Sequence, residues 1–186
     1  MLHRSGWPLL ELNRLIALRK LGRQRLMTDN FFPHSRIGLA ARTLPDDARP
    51  IFAAASSADK IAELESVFGC NLQPAVRAFF ETHDSISALD VHCGYYIGGI
   101  DMIIRSLQRG DYAPNLNGTA VFPIGSDGGG NAFLMPVGED GPIWKWSHET
   151  GGTTQIADSF KVFLERLADD FRMYAAGNAS WTFMAG

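Results

Sequence analysis

The chain has 186 residues, of which 46% are hydrophobic and 20% charged, a composition that supports a packed core and excludes wholesale disorder. Its net charge of −3 is unevenly spread, because residues 1–56 carry a net +5 and residues 57–174 a net −8. An acidic domain repels nucleic acids and anionic membranes, so a basic partner is favoured, unless the acidity serves only solubility.

The N-terminal residues 1–26 are leucine-rich and basic, with six Lys/Arg against one Glu. Their apolar spacing is compatible with a helix docked on the domain, a helix on a membrane surface, or a start codon assigned too early, with Met27 as the alternative start. Charges interrupt residues 9–21, so neither a membrane span nor a secretory signal is predicted. We therefore expect a cytoplasmic protein. Residues 28–56 contain three prolines and are expected to be an irregular lead-in.

Two short helices are predicted next. Ser56 and Asp59 resemble a capping box, and Gly69 suits the left-handed residue that ends the first helix. Pro74 suits the first position of the second helix. The inward-facing residues are Ile61, Leu64, Val67 and Phe68 in the first helix, and Val76, Phe79 and Phe80 in the second.

The second half of the chain is rich in strand signals. Residues 95–97 read as a strand and 100–107 as a short helix, and clearer strands are expected at 120–124, 131–135, 142–147 and 153–156. In the third of these, alternation puts Trp144 and Trp146 on one face. A long last helix is predicted next, with Asp158 or Ser159 as its N-cap. Its apolar stripe is Phe160, Phe163, Leu164, Leu167, Phe171 and Tyr174, opposite a charged face of Lys161, Glu165, Arg166, Asp169 and Asp170.

Helices gathered around a run of strands indicate an α+β fold: a mostly antiparallel sheet flanked by two short N-terminal helices and one long C-terminal helix. Three ordered stretches, at residues 61–80, 122–131 and 156–164, resemble the SUKH superfamily, which includes fungal regulators of cell-wall synthesis and bacterial immunity proteins. The resemblance spans about residues 58–170. It divides the chain into an N-terminal extension (1–56), a SUKH-like domain (57–176) and a C-terminal tail (177–186). Departures such as Leu72-Gln73-Pro74 leave the subfamily and the partner open.

The glycine-rich segment at residues 125–131 predicts a turn rather than a phosphate site. A phosphate loop needs a helix N-terminus after the glycines and usually a lysine, but here a strand follows. The alternating ligands of a calcium loop are also missing. We expect a sharp strand-to-strand turn that requires positive φ at several glycines.

No enzyme motif appears in the chain, so we expect no catalytic activity, no metal and no cofactor. Cys70 and Cys93 are too few for a disulfide framework or a zinc quartet, and they fit a reducing compartment as small buried residues. The rival interpretation is an enzyme or small-ligand-binding protein with a pocket around His92, Cys93 and His148. Separately, His148 and Glu149 could form an acid–base pair, although a lone His-Glu pair is more often part of a turn.

The residues expected to contact a partner lie around the predicted third strand. Aromatic side chains dominate binding hot spots, which favours Trp144 and Trp146, with Tyr95 and Tyr96 as further anchors unless they fill the core. Acidic contacts are expected from Asp127, Glu139, Asp140 and Glu149, unless these are merely solvated. The resemblance implies a protein-binding role, as an immunity protein that neutralises a basic nuclease-type toxin or as a regulatory scaffold without a toxin.

Overall fold

The computed structural model describes residues 33–178, 180 and 182, so the predictions for residues 1–26 and Met27 lie outside the described residues. The described part contains five α-helices and a short 3-10 helix, Asp46–Ala48. The α-helices are Pro33–Ala41 (α1), Ala58–Phe68 (α2), Pro74–Phe80 (α3), Ile100–Arg109 (α4) and Phe160–Ala175 (α5). The strands are Ile51–Phe52 (β1), Ser85–Ala88 (β2), Tyr95–Gly98 (β3), Asn115–Leu116 (β4), Thr119–Asp127 (β5), Ala132–Pro136 (β6), Ile143–Trp146 (β7) and Thr153–Ala157 (β8).

The described strands form one antiparallel sheet in the order β1-β2-β3-β5-β6-β7-β8, with the short β4 paired to β5. One face packs against α5, where the rings of Phe133 and Phe163 lie 5.6 Å apart. The other face carries a small cluster of Tyr112, Val121 and Leu134 beside α4. The α+β prediction is confirmed, the short helix expected at residues 100–107 is present as α4, and the structure adds α1 to the predicted helices.

The prediction of an irregular lead-in is wrong for Pro33–Ala41, Asp46–Ala48 and Ile51–Phe52, which form regular elements. Helix α1 packs against α5, and its Ile37 is fully buried in the main core. Pro33 begins this helix rather than interrupting the chain, because the first helical position needs no N–H donor. Residues 33–56 therefore share one core with the predicted domain.

Helix α2 begins one residue later than the capping-box prediction. The Ser57 hydroxyl accepts the N–H of Lys60 at 3.3 Å, while the hydroxyl of Ser56 donates to Asp84 Oδ1 at 2.6 Å. Gly69 ends the helix with φ of 69°, as predicted. Val67 is exposed rather than part of the buried stripe.

The connection between α2 and α3 is held by one carboxylate. Glu65 Oε1 accepts the backbone N–H of Leu72 at 2.8 Å and forms an ion pair with Arg77. These two donors, the Leu72 N–H foremost, hold the pKa of Glu65 below its usual value. The side chain of Glu65 therefore connects the loop to the middle of the next helix.

Replacing this residue (Glu65→Gln) is expected to lower the free energy of unfolding by about 1–2 kcal/mol at neutral pH. Because the folded-state pKa is depressed, the wild-type advantage is present above the unfolded pKa of about 4.3 and is lost as pH falls through the folded value. Urea unfolding across this acid range measures both effects. The exposed Glu63→Gln on the same helix is the control, and an equal loss in both variants would contradict the assignment.

Helix α5 confirms the predicted cap and stripe, with one exception. The Ser159 hydroxyl accepts the N–H of Val162 at 3.2 Å. Asp170, predicted on the charged face, is 0% exposed. It lies three residues after Leu167 and four before Tyr174, so the helical period itself puts it on the inner face.

Candidate partner-binding face

The turn between β5 and β6 is organised by Asp127, which is only 7% exposed. Its Oδ1 accepts the N–H groups of Gly129 at 3.0 Å and Asn131 at 2.9 Å, and its Oδ2 accepts Asn131 Nδ2 at 2.9 Å. Lys145 Nζ lies 3.4 Å from Oδ2. The Asp127 carboxylate is therefore engaged by groups of the turn and by Lys145 of β7.

The predicted strand-to-strand turn is confirmed, but the reason for its glycines differs from the prediction. Of Gly128, Gly129 and Gly130, only the last has positive φ, at 84°. Gly128 is needed for space, since a Cβ there would lie 1.8 Å from the carbonyl oxygen of Cys93. The turn is thus pressed directly against the segment that leads into β3.

The outer face of the sheet carries a row of aromatic side chains. In the register of β6 and β7, Ala132 lies opposite Trp146 and Leu134 opposite Trp144, so both tryptophans share this face, as predicted. Ser126 continues the row from Ala132 to Tyr96 on β3. Tyr96, Trp144 and Trp146 are all half-buried, whereas Tyr95 points into the core at 2% exposure.

Helix α4 and the following loop form one wall of a groove of about 260 Å³ on this face. Tyr96, Met102, Tyr112 and Trp146 contribute to its lining, and Met102 is 41% exposed. Burial raises the pKa of Tyr112 to about 12, so its hydroxyl stays protonated at neutral pH. Sequence reasoning missed Met102 and Tyr112, because nothing local indicates which strand face α4 will cover.

Three of the predicted acidic residues flank β7. Glu139 and Asp140 are exposed in the β6–β7 loop, and Glu149 is exposed in the β7–β8 turn. They therefore lie in the loops at opposite ends of β7, which spans only four residues. Acidic side chains therefore lie beyond both ends of the strand that carries Trp144 and Trp146.

A polar cleft of about 470 Å³ lies at the glycine-turn end of the sheet and is lined in part by Lys145, His148 and Glu149. His148 Nδ1 lies 3.4 Å from Asn131 Oδ1. Neither His92 nor Cys93 lines any of the pockets described for this part of the chain, so the structure gives no support to a ligand site shared by His92, Cys93 and His148.

His92 instead belongs to a buried polar cluster that joins β3, α5 and the C-terminal tail. Its side chain is 6% exposed, and its Nε2 lies 3.3 Å from Asp170 Oδ2. Thr182 donates to the same oxygen at 3.4 Å and shares a 2.9 Å hydrogen bond with Tyr95. Burial raises the pKa of Asp170, against the opposing effect of His92. With so little solvent access, this cluster is suited to holding the tail rather than to binding a substrate.

Three further features concern the cysteines, metal ligands and membrane-spanning helices of the described residues. Cys70 and Cys93 are free thiols, and Cys93 is exposed rather than buried. Within the described ranges, no group of three or more His, Cys, Asp or Glu side chains is arranged to hold a metal ion. None of the helices in that part of the chain is both long and apolar enough to cross a bilayer.

Comparison with known proteins gives one family. The model of the SMI1 / KNR4 family (SUKH-1) matches residues 55–166, which is more than half of the chain and includes the sheet from β2 to β8. The search of curated proteins gave no significant match.

Proposed function

Because the chain belongs to the SMI1 / KNR4 family (SUKH-1), we propose that it is a non-catalytic binding protein that neutralises a toxin by direct contact. The observation that carries the proposal is the row of half-buried aromatic residues on the outer sheet face, Tyr96, Trp144 and Trp146. Half-buried aromatics provide large contact area at little cost in side-chain entropy, since the fold already holds them in place.

The charge distribution supports a basic partner. Glu139, Asp140 and Glu149 surround the tryptophans with negative charge, and residues 57–174 carry a net −8. Complementary charge steers diffusional encounter, and it discriminates against acidic competitors. A nuclease-type toxin presents a basic surface to its nucleic-acid substrate, so covering that surface blocks the active site sterically and electrostatically.

In this role the turn residue Asp127 contributes indirectly. Its carboxylate fixes the β5–β6 turn and lies beside Lys145 on β7. It therefore maintains the register of the strands that display Trp144 and Trp146, and the direct acidic contacts come from the exposed loops.

The salt dependence of partner association tests the electrostatic part of the proposal. We expect the association rate constant to fall by about tenfold or more between low and high ionic strength, because exposed charges are screened. Neutralising Glu139→Gln, Asp140→Asn and Glu149→Gln together should remove most of that dependence. The partner is captured on the full chain from cells of the source organism, and the rates are measured by stopped-flow.

A matched control removes the same charge elsewhere, with Asp59→Asn, Glu63→Gln and Glu81→Gln on and beside α2 and α3, all exposed. This control should keep nearly the wild-type salt dependence. Equal effects of the two triple variants would mean that net charge alone attracts the partner. Failure to capture any protein, together with failure to protect cells from a neighbouring toxin gene, would contradict the proposed function as a whole.

A further inference from the structure

A third concave site lies at the β1 edge of the sheet, between α1, β1 and the α3–β2 turn. Strand β1 lies five strand positions from β7, about 24 Å across the sheet, and two positions from β3, which carries Tyr96. The site has a volume of about 370 Å³, and we call it the α1–β1 pocket. Its described lining residues are Gly38, Ala41, Arg42, Arg49, Pro50, Phe52 and His83.

The α1–β1 pocket combines an apolar floor with a cationic rim. Ala41 and Pro50 are buried, and the ring of Phe52 packs against His83 with centroids 5.1 Å apart. The guanidinium groups of Arg42 and Arg49 are exposed at the edge. Arg49 pairs with Asp46 at 2.8 Å, but both partners are more than half exposed, so water screens that pair.

Gly38 is an unusual residue for the middle of α1. Glycine is less stable than alanine inside a helix, so a helical glycine normally serves close packing. Apart from its two neighbours and the backbone of its own helix, no atom of the described residues lies within 4 Å of a Cβ built at Gly38. At Gly38 the pocket is therefore open down to the helix backbone, and a side chain added there would project into free space.

We propose that the α1–β1 pocket binds a small molecule with an apolar body and a carboxylate. The apolar body would lie on Phe52 and Pro50 against the open backbone of Gly38. The carboxylate would pair with Arg42 and Arg49, because guanidinium groups match carboxylate geometry and remain charged at all relevant pH values. The volume is in the range of small-ligand pockets. The proposal does not depend on toxin binding, since none of the described lining residues of the α1–β1 pocket belongs to the groove of the proposed partner-binding face.

Sodium decanoate is the test ligand, titrated into the ¹⁵N-labelled full chain. We expect saturable amide shifts concentrated in residues 38–52 and around His83. Two probes with the same chain length separate the contributions, since 1-decanol lacks the charge and decylammonium reverses it. Decanol should bind at least about tenfold more weakly than decanoate, equivalent to the loss of one charge-assisted contact, and decylammonium should produce no shifts at the pocket.

Variants test the rim and the glycine separately. Arg42→Glu with Arg49→Glu should weaken decanoate binding by at least about tenfold, whereas the remote exposed pair Arg105→Glu with Lys161→Glu should leave it unchanged. Gly38→Ala should raise the thermal midpoint by about 2–4 °C while weakening decanoate binding. Absence of shifts with decanoate, equal binding of decylammonium, or unchanged affinity in the Arg42/Arg49 variant would overturn the proposal.

Discussion

Replacing Gly128 with alanine is expected to lower the free energy of unfolding by about 3 kcal/mol or more. The added Cβ would lie 1.8 Å from the carbonyl oxygen of Cys93, a backbone atom that no side-chain rotation can move away. The turn would have to separate from β3, which breaks the 3.0 Å hydrogen bond from Gly128 N–H to the carbonyl of Gly94. Pairing between Tyr95 and Asp127 begins at the next residue, so the junction of β3 and β5 weakens as well.

Urea unfolding of Gly128→Ala and Gly129→Ala provides a matched comparison within one turn. A Cβ at Gly129 would lie 3.3 Å from Asp127 Oδ1, a side-chain atom, so its cost should be no more than about 1 kcal/mol. If Gly128→Ala does not fold, soluble yield still separates the two variants. Similar stability in both would show that the turn does not press against Cys93 as described.

Truncating Trp144 and Trp146 to alanine is expected to weaken partner binding by about 30-fold or more, the equivalent of about 2 kcal/mol. Both side chains pack beside Leu134 on the outer face, and both keep exposed surface for a partner. Most of the loss should appear in the dissociation rate, because contacts at the centre of an interface hold the complex after encounter.

Stability must be separated from binding in this experiment, since the tryptophans also support the second hydrophobic cluster. Replacement by phenylalanine keeps an apolar ring and should retain more affinity than alanine. Lys161→Ala, on the exposed face of α5, should bind like the wild type. Unchanged affinity in a folded Trp144→Ala/Trp146→Ala variant would exclude β7 from the interface.

Elements with strong local signals are predictable from the sequence. The stripe of α5, the left-handed Gly69 and the alternation in β7 each depend on neighbours a few residues apart. Local patterns of this kind are enough to indicate the α+β class and the shared face of Trp144 and Trp146. The pairing of β3 with β5 is not predictable in this way, because it depends on contacts between distant segments.

The same distinction explains where sequence and structure differ. The charge of Asp170 predicts solvent exposure because charged residues are rarely buried, although its position in the helical period matches the inner face. Nothing local shows that the Asp127 carboxylate is engaged by Gly129 and Asn131 rather than open to a partner. The groove beside Trp146 could not be predicted from the sequence. The position of α4 over the outer face depends on the pairing of β3 with β5, which are distant in the chain.

Hydrogen–deuterium exchange of the full chain with and without its captured partner tests the central claim most directly. The partner-bound chain should gain protection in residues 137–152, which include β7 and its acidic flanks, and around Tyr96 and α4. Residues 38–52, at the far side of the sheet, should exchange as in the free protein. Protection confined to that far side, with residues 137–152 unchanged, would contradict binding through the aromatic outer face.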